Sequence, residues 1–241
     1  MIIGGLATMP SRRATAPTAI ASILPNVDRL YLYLDQWDEV PSFAIHKKIE
    51  VIWQPEVPSI GANGKLLGLL ESDAADYYLC FDDDLKYPRY FASVLLAQLK
   101  CFRKPTVIGI HGSRLHRLPK LTSYREDRQV FHCSKANLFP KRLDVAATNG
   151  CAFRVRDLSF DVRQWSAINR VDLSMALEAE TQGVTPMLAC KPSRFVHILA
   201  EVQADSIYSA LLKNDTEQTH LANELLRLRR ERSSQAMISR T

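Results

Sequence analysis

The chain has 241 residues, 46% hydrophobic and 24% charged, which is room for one large domain or two small ones and ordinary for a globular enzyme. Lys and Arg outnumber Asp and Glu by 31 to 26, a net +5 that suits anionic ligands and is too small to imply nucleic acid. No apolar run approaches the roughly 20 residues that span a bilayer, and "MIIGGLATMPSRR" lacks the basic region of a signal peptide, so a cytoplasmic protein is expected.

Strand-like and helix-like stretches alternate through the first half, the pattern of a mainly parallel α/β sheet. "MIIGGLAT" reads as a first strand. Ala16, Ala19, Ile20, Ile23 and Leu24 follow at helical spacing, with Pro17 near the helix start. "VDRLYLYLD" and "IEVIW" read as strands, "GKLLGLLES" as a helix, and "DYYLCF" as a fourth strand. "PRYFASVLLAQLKC" is a helix and "TVIGIHG" a strand. Residues 112–129, "GSRLHRLPKLTSYREDRQ", are strongly charged and read as a long mobile loop. "DVAATNGCAFRV" predicts a turn and a strand. "VDLSMALEAETQG" predicts a helix opening near Asp172 and capped by Gly183, and "TPMLAC" a short strand. The expected division is a domain over 1–204 and a basic helical extension over 205–241. In that extension Leu221, Leu225 and Leu228 form a stripe among Arg227, Arg229, Arg230 and Arg232. The stripe either packs across the core or meets acidic lipid or a partner. Five cysteines, Cys80, Cys101, Cys133, Cys151 and Cys190, are odd in number and lack a CxxC pair, which fits reduced thiols rather than a disulfide framework or a zinc site.

The fourth strand runs directly into Asp82-Asp83-Asp84. Adjacent carboxylates repel, so the triplet needs solvent or a cation to compensate it. One reading is a solvated acidic turn. The other follows from its place, because ligands of open α/β sheets collect beyond the carboxyl ends of strands. Residues two apart on an extended segment face the same way, so Asp82 and Asp84 can share a ligand. Hard oxygen donors suit Mg²⁺ or Mn²⁺, which bridge carboxylates to a nucleotide diphosphate.

Seven stretches, "ATMPSRR", "SILPNVDRLYLYLDQWDEVPSF", "GANGKLLGL", "DDDLKYPRYF", "VIGIHG", "ATNGCAFRVRDL" and "VDLSMALEAETQGV", occur in that order over roughly residues 5 to 195. Together they resemble the nucleotide-sugar-dependent glycosyltransferases of the GT-A fold, and more narrowly the bacterial N-acetylglucosaminyltransferases of heparosan-type capsule synthesis. The resemblance implies a GT-A, Rossmann-like mixed sheet, mainly parallel and flanked by helices, with Mn²⁺ or Mg²⁺ as cofactor. It implies that Thr8, Pro10 and Arg12 line the nucleotide pocket, where Arg12 forks onto phosphate, stacks on a base, or is simply a surface arginine at a helix start. Asp35 is placed to accept bonds from uracil or ribose, or is a turn residue. Asn63 and Lys65 belong to a segment that contacts the nucleotide in the family, unless "GANG" only starts a helix. Asp84 is implied as the metal ligand, with Asp82 on the ribose or a metal-bound water and Asp83 supporting the sugar or the loop.

Asp172 is the candidate catalytic base, because inverting transfer needs a carboxylate to take the acceptor's proton. Its alternative is helix capping. Many family members have Glu-Asp there, whereas this chain has Val171-Asp172. His197 is a possible metal ligand by analogy with relatives of the fold, against a core or surface histidine. His111 borders the acceptor side in this reading, where Gly150 allows close backbone approach. The expected function is metal-dependent, inverting transfer of a sugar, first N-acetylglucosamine, from a UDP-sugar to a growing bacterial surface or capsular polysaccharide. The enzyme would sit at the inner face of the cytoplasmic membrane with polysaccharide-assembly proteins as partners. The rivals are a sugar nucleotidyltransferase, for which "GGLATMPSRR" is a poor signature, and a non-catalytic binding module in a glycan-assembly complex.

Overall fold

The computed structural model describes residues 1–56, 58–71, 74–199 and 207–238. The boundary expected between 204 and 205 lies outside these residues. In chain order come β1 (Ile2–Thr8), α1 (Ala16–Ile23), β2 (Arg29–Leu34), β3 (Ile49–Trp53), β4 (Tyr77–Cys80), β5 (Leu85–Lys86) and α2 (Phe91–Lys100). Then follow β6 (Thr106–Gly109), β7 (Gly112–Leu115), β8 (Arg128–Phe131), β9 (Lys141–Arg142), β10 (Val145–Ala146) and β11 (Cys151–Arg154). The chain continues with α3 (Val171–Gln182), β12 (Thr185–Leu188), β13 (His197–Ile198), α4 (Ile207–Lys213) and α5 (Thr216–Ile238).

The main sheet runs β3-β2-β1-β4-β11-β6-β12-β9. β1 is parallel to β2 and β4, β2 to β3, and β6 to β12. β11 runs antiparallel between β4 and β6, and β9 antiparallel to β12 at the edge. The result is a mixed, mainly parallel, Rossmann-like α/β sheet flanked by helices.

Side-chain alternation builds its three layers. Leu30, Leu32 and Leu34 of β2 enter one core with Ile20 of α1 and Leu95 of α2, whereas Tyr31 and Tyr33 enter the opposite core with Met175 of α3. β4 divides likewise, Leu79 to the first core and Tyr78 and Cys80 to the second. Each such fully buried side chain contributes about 1.5–3 kcal/mol.

Several expectations are corrected. Gly64–Leu69 of "GKLLGLLES" lie in a 3₁₀ helix over Gly61–Leu69 rather than an α-helix, and Ser72 lies outside the described residues. This segment presses onto β1 so closely that a Cβ on Gly5 would lie 1.8 Å from the Lys65 carbonyl oxygen, and one on Gly64 would lie 2.0 Å from the Tyr33 ring. "TVIGIHG" is not one strand: β6 stops at Gly109 and β7 begins a separate sheet, β10-β7-β8. Residues 112–129 are not a loose loop. They supply β7 and part of β8, and Leu115, Leu121 and Tyr124 are buried against Ala222 and Leu225 of α5. Leu121 N–H also donates to Asn223 Oδ1 at 2.8 Å, and Asn223 Nδ2 returns a bond to the Leu121 carbonyl at 3.0 Å.

Leu221 and Leu225 of the α5 stripe therefore pack against the body, beside Ala222 and Leu226, in a cluster of their own with Leu115, Leu121 and Leu173. Arg229 donates to Asp144 Oδ1 and, at 3.0 and 3.1 Å, to Glu180 Oε2, which locks the tail onto the body. Gly183, at φ 74°, caps α3 as expected. Among the described residues no helix is long and apolar enough to cross a membrane.

Candidate functional site

β4 delivers the aspartates to the carboxyl edge of the sheet between β1 and β11. Phe81 is fully buried, and its N–H donates to the Gly5 carbonyl at 3.0 Å before the chain leaves the sheet. The turn is then held by its backbone. Asp82 N–H donates to Tyr87 Oη at 2.8 Å, that hydroxyl donates to the Asn149 carbonyl at 2.9 Å, and Leu199 N–H donates to the Asp84 carbonyl at 2.8 Å. Asp82 Oδ1 accepts from the ammonium of Lys65, which is 4% exposed. Arg12, also buried, holds Nε 4.0 Å from Asp83 Oδ1, a charge contact rather than a hydrogen bond.

Charge crowding explains the electrostatics. Asp83 is pushed up to about 7, first by burial and then by Asp82 and Asp84, against the Thr8 hydroxyl and Arg12. Asp84 is pushed up to about 6 by burial and Asp82, against Lys65 and Arg12. For Lys65, burial works against the charge, but Asp82 overcomes it and holds the ammonium well above its ordinary range. The Thr8 hydroxyl lies close enough to favour the charged Asp83, yet it is buried and makes no hydrogen bond of ordinary geometry.

Asp172 sits in the first turn of α3 without capping it: the N-cap position is Arg170, and no side chain bonds there. Its Oδ1 instead accepts from Thr148 N–H at 2.8 Å and Thr148 Oγ1 at 2.7 Å. Burial raises its pKa, Thr148 and Lys65 lower it, and the charge of Asp82 also reaches it. Asp172 thus belongs to the same charge cluster as the triplet. Gly150, at φ 156°, has no room for a Cβ, which would meet Ile110 at 2.7 Å. Neighbouring Asn149 places Nδ2 3.2 Å from Nδ1 of half-buried His111. Burial pushes His111 down to about 4, with His132 and Arg128 adding to the effect.

The other expected residues lie in adjoining networks. Asp35 is buried and accepts from Ser59 Oγ at 2.8 Å and Tyr33 Oη at 3.3 Å. Its N–H donates to the Thr8 carbonyl at 2.9 Å, so the ends of β1 and β2 are tied together. Asn63 donates to the Ala167 carbonyl at 2.9 Å, and its Oδ1 is buried without a partner. Pro10 opens the 3₁₀ turn Pro10–Arg12. His197 is exposed on β13 and pairs with Lys86 of β5, two residues beyond Asp84. No bond joins its ring to an aspartate among the described residues.

Sequence reasoning missed Tyr87, Thr148 and Asn149. All three stood inside quoted stretches, Tyr87 in "DDDLKYPRYF" and Thr148 and Asn149 in "ATNGCAFRVRDL" directly before Gly150, but were given no role. A surface depression of about 450 Å³ lined by Arg13, Pro17, Phe43 and Ile45 shares its rim with the Arg12 turn, but no aspartate of the triplet lines it.

The triplet offers hard carboxylate oxygens, the donor type that Mg²⁺ and Mn²⁺ take, but Lys65 and Arg12 already meet Asp82 and Asp83, and among the described residues the side chains that converge closely enough for an ion are His111, His132 and Cys133.

No protein-family model matches the chain, and no curated protein matches its sequence. Among solved structures, the chain is similar to a crystal structure described as that of a mycobacterial protein, with 15% identity and a TM-score of 0.47. That likeness covers 78% of this chain and 65% of the other.

Proposed function

We propose that the chain is a metal-dependent, inverting glycosyltransferase that uses a UDP-sugar, with N-acetylglucosamine as the first sugar to test and a growing bacterial surface or capsular polysaccharide as acceptor. One observation carries this reading: a carboxylate triplet at the carboxyl edge of a central strand shares a charge cluster with a separate, Thr148-oriented carboxylate, Asp172. Asp84 and Asp82 would hold Mn²⁺ or Mg²⁺, which when bound supplies Lewis-acid neutralisation of the leaving diphosphate.

The chain's own groups do the remaining work. Arg12 meets the diphosphate from the β1 side, while Lys65, buried on Asp82, fixes that carboxylate's direction instead of reaching the nucleotide itself. Asp35 and Asn63 offer their free acceptor capacity to the nucleoside. Asp172 takes the proton of the acceptor hydroxyl as its oxygen bonds to the anomeric carbon. The bond from that carbon to the diphosphate breaks, its electron pair leaves on UDP, and a single displacement inverts the centre. A buried base with a raised pKa is suited to this role near neutral pH.

Calorimetric titration with UDP, with and without Mn²⁺, tests the reading. Metal-dependent binding that disappears in Asp84→Ala supports it, and no binding with metal present sinks it. Product analysis separates transfer, which releases UDP, from nucleotidyl transfer, which releases pyrophosphate. A place at the inner face of the cytoplasmic membrane, among polysaccharide-assembly proteins, belongs to the same proposal. Flotation with acidic liposomes checks it, and a protein that stays unbound counts against it.

A further inference from the structure

A second group of metal-capable side chains meets at the end of β6. The last pair of the β7–β8 hairpin is Gly112 with Phe131, so one step further along the register His111 faces His132, and Cys133 follows. The imidazole centroids are 5.0 Å apart with 57° between the rings, a splayed arrangement rather than a stack. One ligand atom from each of His111, His132 and Cys133 lies within 4.8 Å of the others, and Cys133 Sγ is 4.0 Å from His132 Nδ1. Atoms bound to one zinc ion at about 2.0–2.3 Å sit roughly 3.3–3.6 Å from one another in a tetrahedron. Closure therefore needs a movement of about 1 Å, within reach of side-chain rotation.

The His111 ring is also held from behind, with Asn149 Nδ2 3.2 Å from its Nδ1. His132 Nδ1, the nitrogen 4.0 Å from Cys133 Sγ, takes a bond from Ser134 N–H at 3.3 Å and lies 2.8 Å from Ser134 Oγ, contacts that a metal on this nitrogen would displace. Asn149 Oδ1 is buried and has no hydrogen-bond partner. Turning that amide over sets its oxygen on Nδ1–H of His111. This fixes the tautomer whose Nε2 lone pair is available to a metal, the usual way a ligating histidine is oriented.

We propose that His111, His132 and Cys133 form a binding site for a zinc-class divalent cation, separate from the triplet. Thiolate and imidazole select zinc, whereas the carboxylates select Mg²⁺ or Mn²⁺, so the two sites sort metals by chemistry. On binding, the Cys133 thiol gives its proton to solvent and its sulfur pair to the metal. Three protein ligands leave a fourth position open to water. The site goes beyond the transferase reading and stands whether or not UDP binds.

The test is titration of the full-length protein, first freed of metal by a chelator, with Co²⁺. The expected result is one equivalent per chain and a thiolate-to-cobalt charge-transfer band that Zn²⁺ displaces and Mg²⁺ does not. Cys133→Ser and His132→Ala lose the band, the latter at an exposed position that spares the fold, while Asp84→Ala keeps it. Zn²⁺ raises the Tm of the wild type and leaves that of His132→Ala unchanged. Asn149→Ala weakens Zn²⁺ binding about ten-fold. A wild type without the band, a band that survives Cys133→Ser, or a band lost in Asp84→Ala overturns the proposal.

Discussion

Three adjacent carboxylates held by one buried ammonium make the triplet sensitive to protons. Asp83 and Asp84 titrate at about 7 and about 6 in the folded chain, both above the roughly 3.9 of an unfolded Asp. Between about pH 4 and 7 the folded state therefore binds more protons than the unfolded one, and stability falls as pH rises through that window. Asp84→Asn is expected to raise the metal-free Tm at pH 7 and to flatten its decline across the window, as a thermal melt series would show. Mn²⁺ competes with those same protons, so Mn²⁺-dependent UDP binding should strengthen from pH 5.5 to about 7.5, a trend opposite to that of metal-free stability. Lys65→Met leaves Asp82 without its partner. Asp82 keeps 34% of its side chain exposed, so the cost should be about 2 kcal/mol in urea denaturation, below the ~3–5 of a fully buried pair. Under the transferase reading, Asp172→Asn removes a proton acceptor of unchanged shape. Turnover should drop by about 10²–10⁴ while UDP affinity stays within a factor of about two.

Secondary-structure elements approach one another closely around this site, and that closeness was hard to read from sequence. The α/β alternation and the run of β4 into its aspartates were legible, because strand burial and a carboxylate triplet both leave local marks. The 3₁₀ form of Gly61–Leu69 was not. Its cause is contact with β1, where Gly5 admits the Lys65 carbonyl and the Tyr78 hydroxyl donates to that same oxygen at 2.5 Å. Gly5→Ala should cost more than about 3 kcal/mol, because the obstacle is backbone and cannot rotate away. A loss below about 1 kcal/mol in denaturant melts would show that the two elements part easily. Tyr87 joins the turn after β4 to the segment before β11, a link across 62 residues that no periodicity reveals. The His111–His132 pairing escaped for a similar reason, since cysteine spacing was read only against other cysteines. Residues 112–129 looked like a loop because Leu115, Leu121 and Tyr124 are sparse and their partners lie about a hundred residues later on α5.

Across the whole molecule, α5 acts as a brace, not a free basic arm. Arg229 spans Asp144 and Glu180, and Asp144 Oδ2 accepts from Leu115 N–H at 2.6 Å, so one guanidinium ties the small sheet and α3 to the tail. Arg229→Met removes the only ion pair of largely buried Asp144 among the described residues and leaves Glu180 with Arg232 alone, and should lower stability by about 2–3 kcal/mol, read from the urea midpoint at unchanged m-value. The placement of β11 also bears on how the chain comes to be. Cys80 of β4 pairs with Cys151, so for some seventy residues of synthesis the middle of the sheet has an open side. A nascent chain in that interval carries an unpaired, apolar strand edge of the kind that recruits other chains. Asp172 comes later still, so no nascent chain shorter than 172 residues holds both halves of the charge cluster.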